Sequence, residues 1–251
     1  MIKRIALSTL AAFNAPLGAL GVQLVRNRQA EASFSRRIRQ LARIGFRPAV
    51  ALDGGAFSGE WSLEVASVFS GCRMIVVEPN PEMMEVSRSA LKALQPPPHF
   101  AEVALGPEEG AATLNLWSGA SGAAASVLKH VAGDPSRSID VRVRRLDDVA
   151  TDAGELPDLL KLDLQGYEVP ALKGAPACLA HAEVVILEVG CLGAYIGRSS
   201  PRDVIDLMYD SGFVLHDIED LGYRPYDGAL TGADFVFVKS KSKLREYAGF
   251  R

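Results

Sequence analysis

The hydrophobic and polar positions after Pro48 alternate between two patterns. Short apolar runs that end in an acid or a glycine are each followed by a longer segment with helical periodicity. This alternation is typical of repeated βα units, which build a parallel sheet with helices on its faces. We predict strands at 49–53, 73–78, 99–104, 158–163, 183–188, 213–218 and 233–238. Helices are predicted at 59–69, 81–94, 168–180 and 201–211.

Two segments between the third and fourth of these strands add to the pattern. Residues 111–117 and 139–145 alternate between apolar and polar positions as additional strands do. The loop 118–138 between them is rich in small residues. A long irregular segment inside a compact domain usually covers or borders a binding site, so we expect this loop to border the functional site.

The residues that precede the first strand predict a helical extension. From Glu31 to Gly45, apolar residues recur at helical spacing and arginines occupy the other positions, so we expect the arginines to face solvent. The apolar run from Ile5 to Val25 is interrupted by polar residues, proline and glycine, which argues against a signal peptide or a membrane span. We therefore predict a helical extension over residues 1–46 and one large domain over residues 47–251. Peripheral membrane contact through the N-terminal segment is the alternative.

The composition narrows the class of protein. The chain has 251 residues, a net charge of −3, 48% hydrophobic and 23% charged residues, which is ordinary for a soluble globular protein. This charge gives no electrostatic reason to expect a nucleic-acid partner. Cys72, Cys178 and Cys191 have neither disulfide-framework nor metal-ligand spacing, so we expect a cytoplasmic protein without a cysteine-bound metal. The sequence leaves the oligomeric state open.

The first predicted strand ends in a glycine-rich turn, residues 53–59 (DGGAFSG), and a helix follows at once. Glycines at such a turn let the backbone approach a ligand at the helix N-terminus. Asp53 is the informative residue, because a carboxylate there would repel a pyrophosphate but suits a cationic amino acid group. The spacing also differs from the G-x-G-x-x-G dinucleotide motif. A helix-capping turn without a ligand is the structural alternative.

The second predicted strand ends in Glu78 and Pro79. An acid at this position, about twenty residues beyond the glycine turn, is placed to accept hydrogen bonds from both ribose hydroxyls. Taken alone, Glu78 would also fit an exposed strand end. Combined with the glycine turn, it favours a ribose-containing ligand.

Charged residues also end the fourth and fifth predicted strands. Lys161 and Asp163 are two residues apart on the fourth strand, so they share one face, and Glu188 ends the fifth. If these strands are neighbours, Asp163 and Glu188 are close enough to raise one pKa or to hold a divalent cation. Structural salt bridges or helix caps are the alternative explanation. His130, in the loop 118–138, is a further candidate general base, although a lone histidine is more often structural.

Together these motifs resemble the FkbM-type S-adenosylmethionine-dependent methyltransferases, over residues 20–240. The most specific segment is 161–175 (KLDLQGYEVPALKGA). The resemblance implies an α/β fold with a Rossmann-like, seven-stranded class I methyltransferase sheet of six parallel strands and one antiparallel strand. Many members carry Glu where this chain has Gln165, and the glutamine is similar to a polysaccharide-associated subgroup. An apolar residue is also more usual where this chain has Gly54.

The resemblance implies S-adenosyl-L-methionine as the cofactor. Asp53 and Gly55 would contact its methionine end, Glu78 its ribose, and the residues around Val103 its adenine. The candidate cofactor-binding residues are Asp53, Gly54, Gly55, Phe57, Gly59, Glu78, Pro79, Glu102, Val103, Ala104 and Asp163.

The implied reaction is transfer of a methyl group to a hydroxyl of a sugar, a glycan or another secondary metabolite. A base is needed because an alcohol is a poor nucleophile at neutral pH. We assign this role, or orientation of the acceptor, to Asp163, with Lys161 holding it in place and Glu188 or His130 assisting.

Two other functions are compatible with a Rossmann-like sheet. An NAD-linked oxidoreductase or epimerase would need the dinucleotide motif and a Tyr-x-x-x-Lys pair, but Ala171 stands four residues after Tyr167. A non-catalytic, cofactor-binding partner in a biosynthetic assembly would keep the same glycine turn.

Overall fold

A computed structural model describes residues 33–117, 124–131 and 133–246 of the chain. Its helices are α1 (Ser33–Arg43), α2 (Glu60–Val68), α3 (Pro81–Leu91), α4 (Leu146–Ala153), α5 (Glu168–Lys173), α6 (Pro176–His181), α7 (Pro201–Asp210) and a 3-10 turn (Lys243–Arg245). Its strands are β1 (Val50–Gly54), β2 (Arg73–Val77), β3 (His99–Ala101), β4 (Ala104–Leu105), β5 (Gly110–Trp117), β6 (Ala124–Ser126), β7 (Arg137–Arg144), β8 (Leu159–Leu162), β9 (Val184–Gly190), β10 (Phe213–Tyr223) and β11 (Leu230–Lys239).

Seven of these strands form one mixed sheet in the order β10-β11-β9-β8-β1-β2-β3. Strand β1 pairs in parallel with β2 and with β8, whereas β11 runs antiparallel to both β9 and β10. The predicted sheet with one antiparallel strand is therefore confirmed. The chain passes from β1 to β2 on one side and later returns to β8 on the other, so the strand order reverses at β1. In open α/β sheets, ligands bind at the carboxyl ends of the strands beside such a reversal.

Apolar cores lie on both faces of this sheet. Every residue of β1 is buried, and its successive side chains alternate between the two cores. Leu52 packs with helices α4 to α7 on one face, and Ala51 packs with helices α1 to α3 on the other. A strand buried on both faces reads as a continuous apolar run, which is why the sequence pattern located these strands. With both faces covered, the carboxyl ends of the strands are the part of the sheet open to a ligand.

A second sheet, in the order β4-β7-β5-β6, contains the two additional strands predicted from alternation. The predicted strand 99–104 is wrong at its end, because β3 stops at Ala101 and the chain crosses to the second sheet as β4. The apolar residues at the crossing serve both sheets, since Leu105 packs into the main core whereas Ala104 packs with residues of β5 and β7. The predicted loop 118–138 is also too long, because it contains β6 and the start of β7.

The helix predicted at 168–180 is wrong as a single element, because α5 and α6 are separated by Gly174 and Ala175. A Cβ at Gly174 would lie 2.3 Å from the carbonyl oxygen of Gly106, so the chain needs glycine there, and Pro176 then begins α6. Helix α4 was not predicted. The carboxylate of Asp147 in α4 accepts hydrogen bonds from the N–H groups of Ala177 and Cys178, which ties α4 to the start of α6.

Helix α1 buries the predicted apolar stripe, but not all of its arginines face solvent as predicted. Ile38 and Leu41 are fully buried. Arg37 is also buried, contrary to expectation, and pairs with Asp217 and Glu219 of β10. A buried arginine requires such partners, because an unpaired charge in the interior is costly.

The predicted helical extension is described from Ser33 onward, and the possible membrane contact of residues 1–25 falls outside the described residues. Among the helices that are described, none is both long and apolar enough to cross a membrane.

We expect Arg37→Ala to lower the free energy of unfolding by about 3 kcal/mol, because it leaves two carboxylates of β10 with a single, half-exposed cation. That remaining cation is Arg36, whose side chain is 51% exposed and lies 2.6 Å from Glu219. The matched control Arg36→Ala should cost about 1 kcal/mol or less, as exposed ion pairs do. Urea denaturation measures both, and equal losses would contradict a special role for Arg37.

Candidate active site

Charged side chains from three neighbouring strands meet at the carboxyl end of the main sheet. Asp53 of β1 is directly beside Lys161 of β8, and Asp163 follows β8 by one residue. The Nζ atom of Lys161 lies 3.7 Å from Asp53 Oδ1 and 3.6 Å from Asp163 Oδ2. The other oxygen of Asp53 accepts a hydrogen bond of 2.7 Å from the hydroxyl of Ser62. A single lysine thus holds two carboxylates of adjacent strands.

The side chain of Gln165 joins Asp163 to Glu188, the acid that the sequence places on β9. Its Nε2 donates hydrogen bonds to Asp163 Oδ1 at 2.9 Å and to Glu188 Oε2 at 2.7 Å. Its Oε1 accepts a hydrogen bond of 3.1 Å from the hydroxyl of Tyr195. The structure therefore brings the predicted pair together through a residue that the sequence marked only as a departure from the family pattern.

A tight turn after β8 presents Gln165 in this position. Gln165 has a φ of +53°, an uncommon conformation for a residue with a side chain. The carboxylate of Glu168 closes the turn by accepting hydrogen bonds from the N–H groups of Leu164 and Gly166, at 2.9 and 3.1 Å. Burial raises the pKa of Glu168 to about 7. The turn in the segment 161–175 thus positions the side-chain amide of Gln165 between Asp163 and Glu188.

The acids of the site have unequal tendencies to ionise. Burial disfavours the ionised form of Asp163, but the charge of Lys161 and several hydrogen bonds outweigh it and hold the pKa below its usual value. Burial and the nearby charge of Asp163 raise the pKa of Glu188 well above its ordinary value. Burial also raises the pKa of Asp234, to about 7, and it raises the pKa of Asp53. Asp163 is therefore the ionised member of the pair with Glu188.

The glycine turn between β1 and α2 packs directly against this group. Gly55 has a φ of +76°, and a Cβ at this position would lie 2.0 Å from the carbonyl oxygen of Asp163. Gly54 packs against Leu162, where a Cβ would lie 2.6 Å from Cδ2, and Gly59 caps α2. Gly55 and Phe57 line the cavities of the site, whereas Gly54 and Gly59 line neither.

Glu78, at the carboxyl end of β2, is held by the backbone of two turns. Its Oε2 accepts a hydrogen bond from the N–H of Phe57 and its Oε1 one from the N–H of Asn80, both at 2.9 Å. Burial raises its pKa, although these two hydrogen bonds oppose the rise. Each carboxylate oxygen has a second lone-pair site, so Glu78 retains acceptor capacity toward a ligand.

The first of two adjoining cavities, about 450 Å³ in volume, extends from Glu78 and Pro79 toward the second sheet. Its far wall is apolar and is formed by Leu105, Leu114, Leu116 and Val127. Among the predicted adenine contacts, Ala104 lines the cavity, whereas Glu102 is exposed and Val103 packs into the main core. The contribution of the second sheet to this wall was not predicted.

The second cavity, about 440 Å³ in volume, lies over β8, β9 and β11. It shares Gly55, Phe57, Asp163 and Gln165 with the first cavity, so the two meet at Asp163. The residues that line it alone include Trp61, Lys161, Glu188, Tyr195, Arg198 and Asp234. Tyr195 and Arg198 lie in the irregular segment 189–200, which the sequence makes a candidate wall of the acceptor pocket, whereas Asp234 was not assigned to the site.

Asp234 was missed although the sequence carried a signal for it. It stands in the antiparallel strand β11, directly opposite Glu188. A single acid that opens an otherwise apolar strand is costly unless it is paired or functional. That argument, applied to Lys161 and Asp163, applies to Asp234 as well.

The ring of His130 lies 5.0 Å from that of Tyr195 and 5.7 Å from that of Trp117, and lines neither cavity. Its assignment as a base stays a prediction.

The described residues contain no group of three or more His, Cys, Asp or Glu side chains arranged to hold a metal ion.

The sequence matches the family model of the methyltransferase FkbM domain over residues 53–225, which is more than half of the chain. The chain belongs to the FkbM methyltransferase family. The match begins at Asp53, near the end of β1, and extends through β10, so it includes the glycine turn, Glu78, the second sheet and the Gln165 turn. Membership of a methyltransferase family removes the basis for the NAD-linked alternative. A search of curated proteins returned no match.

Solved structures resemble the FkbM chain at low identity. Magnesium protoporphyrin IX methyltransferase from Synechocystis PCC 6803, solved with bound SAM, is 14% identical, with 82% of this chain and 78% of that chain covered and a TM-score of 0.47. The N-methyltransferase NodS from Bradyrhizobium japonicum WM9 is 12% identical, with 82% and 96% covered and a TM-score of 0.48. Precorrin-6y C5,15-methyltransferase from Geobacter metallireducens GS-15 is 14% identical, with 86% of this chain and 93% of that chain covered and a TM-score of 0.47. At such scores they assign neither an acceptor nor site residues.

We expect Gly55→Ala to destabilise the protein by about 3 kcal/mol or more, because it combines a left-handed backbone with a clash against a carbonyl oxygen. Gly71→Ala is the matched control, since Gly71 also has a positive φ, +85°, but a Cβ there would meet nothing within 4 Å. It should cost about 1–2 kcal/mol, the cost of the backbone conformation alone. Chemical denaturation compares the two. If Gly55→Ala cost no more than Gly71→Ala, the close approach to Asp163 would be wrong.

Proposed function

We propose that this FkbM-family protein transfers a methyl group from S-adenosyl-L-methionine to a hydroxyl oxygen of a sugar, a glycan or a secondary metabolite. The meeting of two cavities at Asp163 carries the proposal, because methyl transfer needs a donor and an acceptor on opposite sides of one point. The first cavity would hold the cofactor and the second the acceptor.

The residues of the first cavity fit the cofactor. Asp53 is fully buried and lines neither cavity, but it stands two residues before Gly55, which lines both. Its Oδ1 has no hydrogen-bond partner among the described residues, so its charge would attract a cationic amino group bound at Gly55. Glu78 has acceptor capacity for ribose hydroxyls, and the apolar wall around Leu114 and Leu116 suits a purine ring. Beside the first cavity, the carboxylates of Asp53 and Glu78 also favour a positively charged cofactor over a pyrophosphate.

When bound, S-adenosylmethionine supplies an activated methyl group, so the protein's task is to align an acceptor oxygen with it. Asp163 lies where the two cavities join and is 34% exposed, which lets its carboxylate accept a hydrogen bond from an acceptor hydroxyl. Lys161 on one side and Gln165 on the other fix the position of that carboxylate. We assign Asp163 the orientation of the acceptor.

The proton of the acceptor hydroxyl needs a destination. Asp163 has a pKa held below its usual value, so it is a weak proton acceptor, whereas Glu188 has a raised pKa and lines the acceptor cavity. We assign the general-base role to Glu188, which must be ionised to accept a proton. Because its pKa is raised, activity should increase as the pH rises through that pKa.

We expect Glu78→Gln to weaken binding of S-adenosylhomocysteine about ten- to a hundredfold, because the variant loses charge-assisted hydrogen bonds to the ribose. Isothermal titration calorimetry on the full chain measures the affinity, with NADH as the competing probe. Glu82→Gln is the control, since Glu82 lines the same cavity but its exposed carboxylate pairs with Arg137. A wild-type chain that bound NADH and not S-adenosylhomocysteine would contradict the proposal.

Two variants separate orientation from proton transfer. We expect Asp163→Asn to lower kcat about a hundredfold or more while the affinity for S-adenosylhomocysteine changes less than about threefold. Glu188→Gln should lower kcat and also remove the increase of activity with pH. The assay is methyl transfer from labelled S-adenosylmethionine to a pool of glycans and metabolites.

Asp206→Asn serves as the control, because Asp206 is an exposed partner of Arg202 on α7. Full turnover by Asp163→Asn, or an unchanged pH profile in Glu188→Gln, would refute the corresponding assignment. A chain that binds the cofactor but methylates nothing in the pool would favour the non-catalytic alternative.

A further inference from the structure

Arg198 reaches into the second cavity across two glycines. It lies in the segment between β9 and α7 and lines the cavity. A Cβ at Gly190 would lie 2.1 Å from Arg198 Nη1, and a Cβ at Gly166 would lie 2.8 Å from Arg198 Cβ. Both glycines are therefore required for the arginine to take this path. The hydrogen bond from Ser199 N–H to the carbonyl oxygen of Gly166, 3.2 Å, fixes the loop beside the Gln165 turn.

The guanidinium group of Arg198 is unpaired within the described part of the chain. Among the residues that the structure describes, none forms a hydrogen bond or an ion pair with it. The other cation of the cavity, Lys161, is held by Asp53 and Asp163. Five carboxylates also line the cavity, yet Arg198 pairs with none of them: Glu60, Asp163, Glu188, Asp220 and Asp234.

The position of Arg198 separates it from the candidate cofactor contacts. Its guanidinium lies at Gly190, the last residue of β9, and β8 stands between β9 and β1. Neighbouring strands are about 4.8 Å apart, so this position is about 10 Å across the sheet from the strand that carries Asp53. Arg198 therefore faces the acceptor cavity and not the amino acid end of the proposed cofactor site.

We propose that Arg198 binds an oxyanion, a carboxylate or a phosphate, carried by the methyl acceptor. The planar guanidinium donates paired hydrogen bonds that match either group, whereas the surrounding carboxylates accept hydrogen bonds from hydroxyl groups. The acceptor is thus an anionic polyhydroxy compound, such as a uronic acid or a sugar phosphate. The inference rests on the proposed function, since it assigns the second cavity to the acceptor.

The test is calorimetric titration of the full chain saturated with S-adenosylhomocysteine. The probes are D-glucuronate, D-glucose 6-phosphate and D-glucose, which share a hexose ring and differ in the anion. At least one of the two anions should bind roughly tenfold or more tightly than glucose, and the better one identifies the group.

Arg198→Gln should remove that preference without changing the affinity for S-adenosylhomocysteine. Gly190→Ala provides a second variant, because its Cβ displaces the guanidinium while every native side chain is kept. It should also lose the preference, with little change in thermal stability, since the obstructed atom is the end of a flexible side chain. Arg202→Gln is the control, because Arg202 is 88% exposed and pairs with Asp206.

Three results would overturn the inference. The first is equal or absent binding of all three sugars by a chain that binds S-adenosylhomocysteine. The second is an anion preference that survives Arg198→Gln. The third is a loss of S-adenosylhomocysteine affinity in Arg198→Gln, which would assign the anion to the cofactor's carboxylate. Failure of the proposed function differs from all three, because the wild-type chain would then not bind S-adenosylhomocysteine.

Discussion

The buried ammonium group of Lys161 is the charge on which the site depends. It stands between Asp53 and Asp163, with Glu188 and Asp234 on the next two strands. Burial alone would lower the pKa of this lysine, but the attraction of Asp163 and Asp53 outweighs it and raises the pKa. Carboxylates gathered without a cation would take up protons, so Lys161 is what keeps Asp163 ionised at the junction of the cavities. The sheet order supplies the geometry, because it makes the four acid-bearing strands neighbours.

The neutral amide of Gln165 holds Asp163 and Glu188 together without adding a charge to the site. A glutamate at this position would place a third carboxylate within hydrogen-bond distance of Asp163 and Glu188, and at least one of the three would have to bind a proton or share a cation. The amide instead donates to both acids and accepts from Tyr195. The departure from the usual family residue is therefore compatible with an intact site. It fixes Asp163 and Glu188 by hydrogen bonds where an acid would need a counter-ion.

Sequence reasoning located what depends on local pattern and missed what depends on distant partners. The main strands were predicted because strands buried on both faces are continuous apolar runs, and Asp53, Glu78, Lys161, Asp163 and Glu188 were found because charges at the ends of such runs stand out. The end of β3 was misplaced because its continuation pairs with β7, far along the chain. The burial of Arg37 was missed for the same reason, since its partners lie on β10. Neither partner can be read from residues nearby in sequence.

The second sheet links the two cavities physically. Its strands β5 and β6 form the apolar wall of the first cavity, and the hydroxyl of Ser126 in β6 donates to the carbonyl oxygen of Gln165, 3.2 Å away. On the other side, the ring of Tyr195 packs against Trp117 of β5 and hydrogen-bonds to the Gln165 side chain. Gln165 is thus held from two sides: by Ser126 in the wall of the proposed cofactor cavity, and by Tyr195 in the segment that carries Arg198. An acceptor that shifts this segment would act on Gln165, and through it on the spacing of Asp163 and Glu188. Under the proposed function, acceptor recognition and the alignment of the reacting groups would therefore be coupled through the side chain of Gln165.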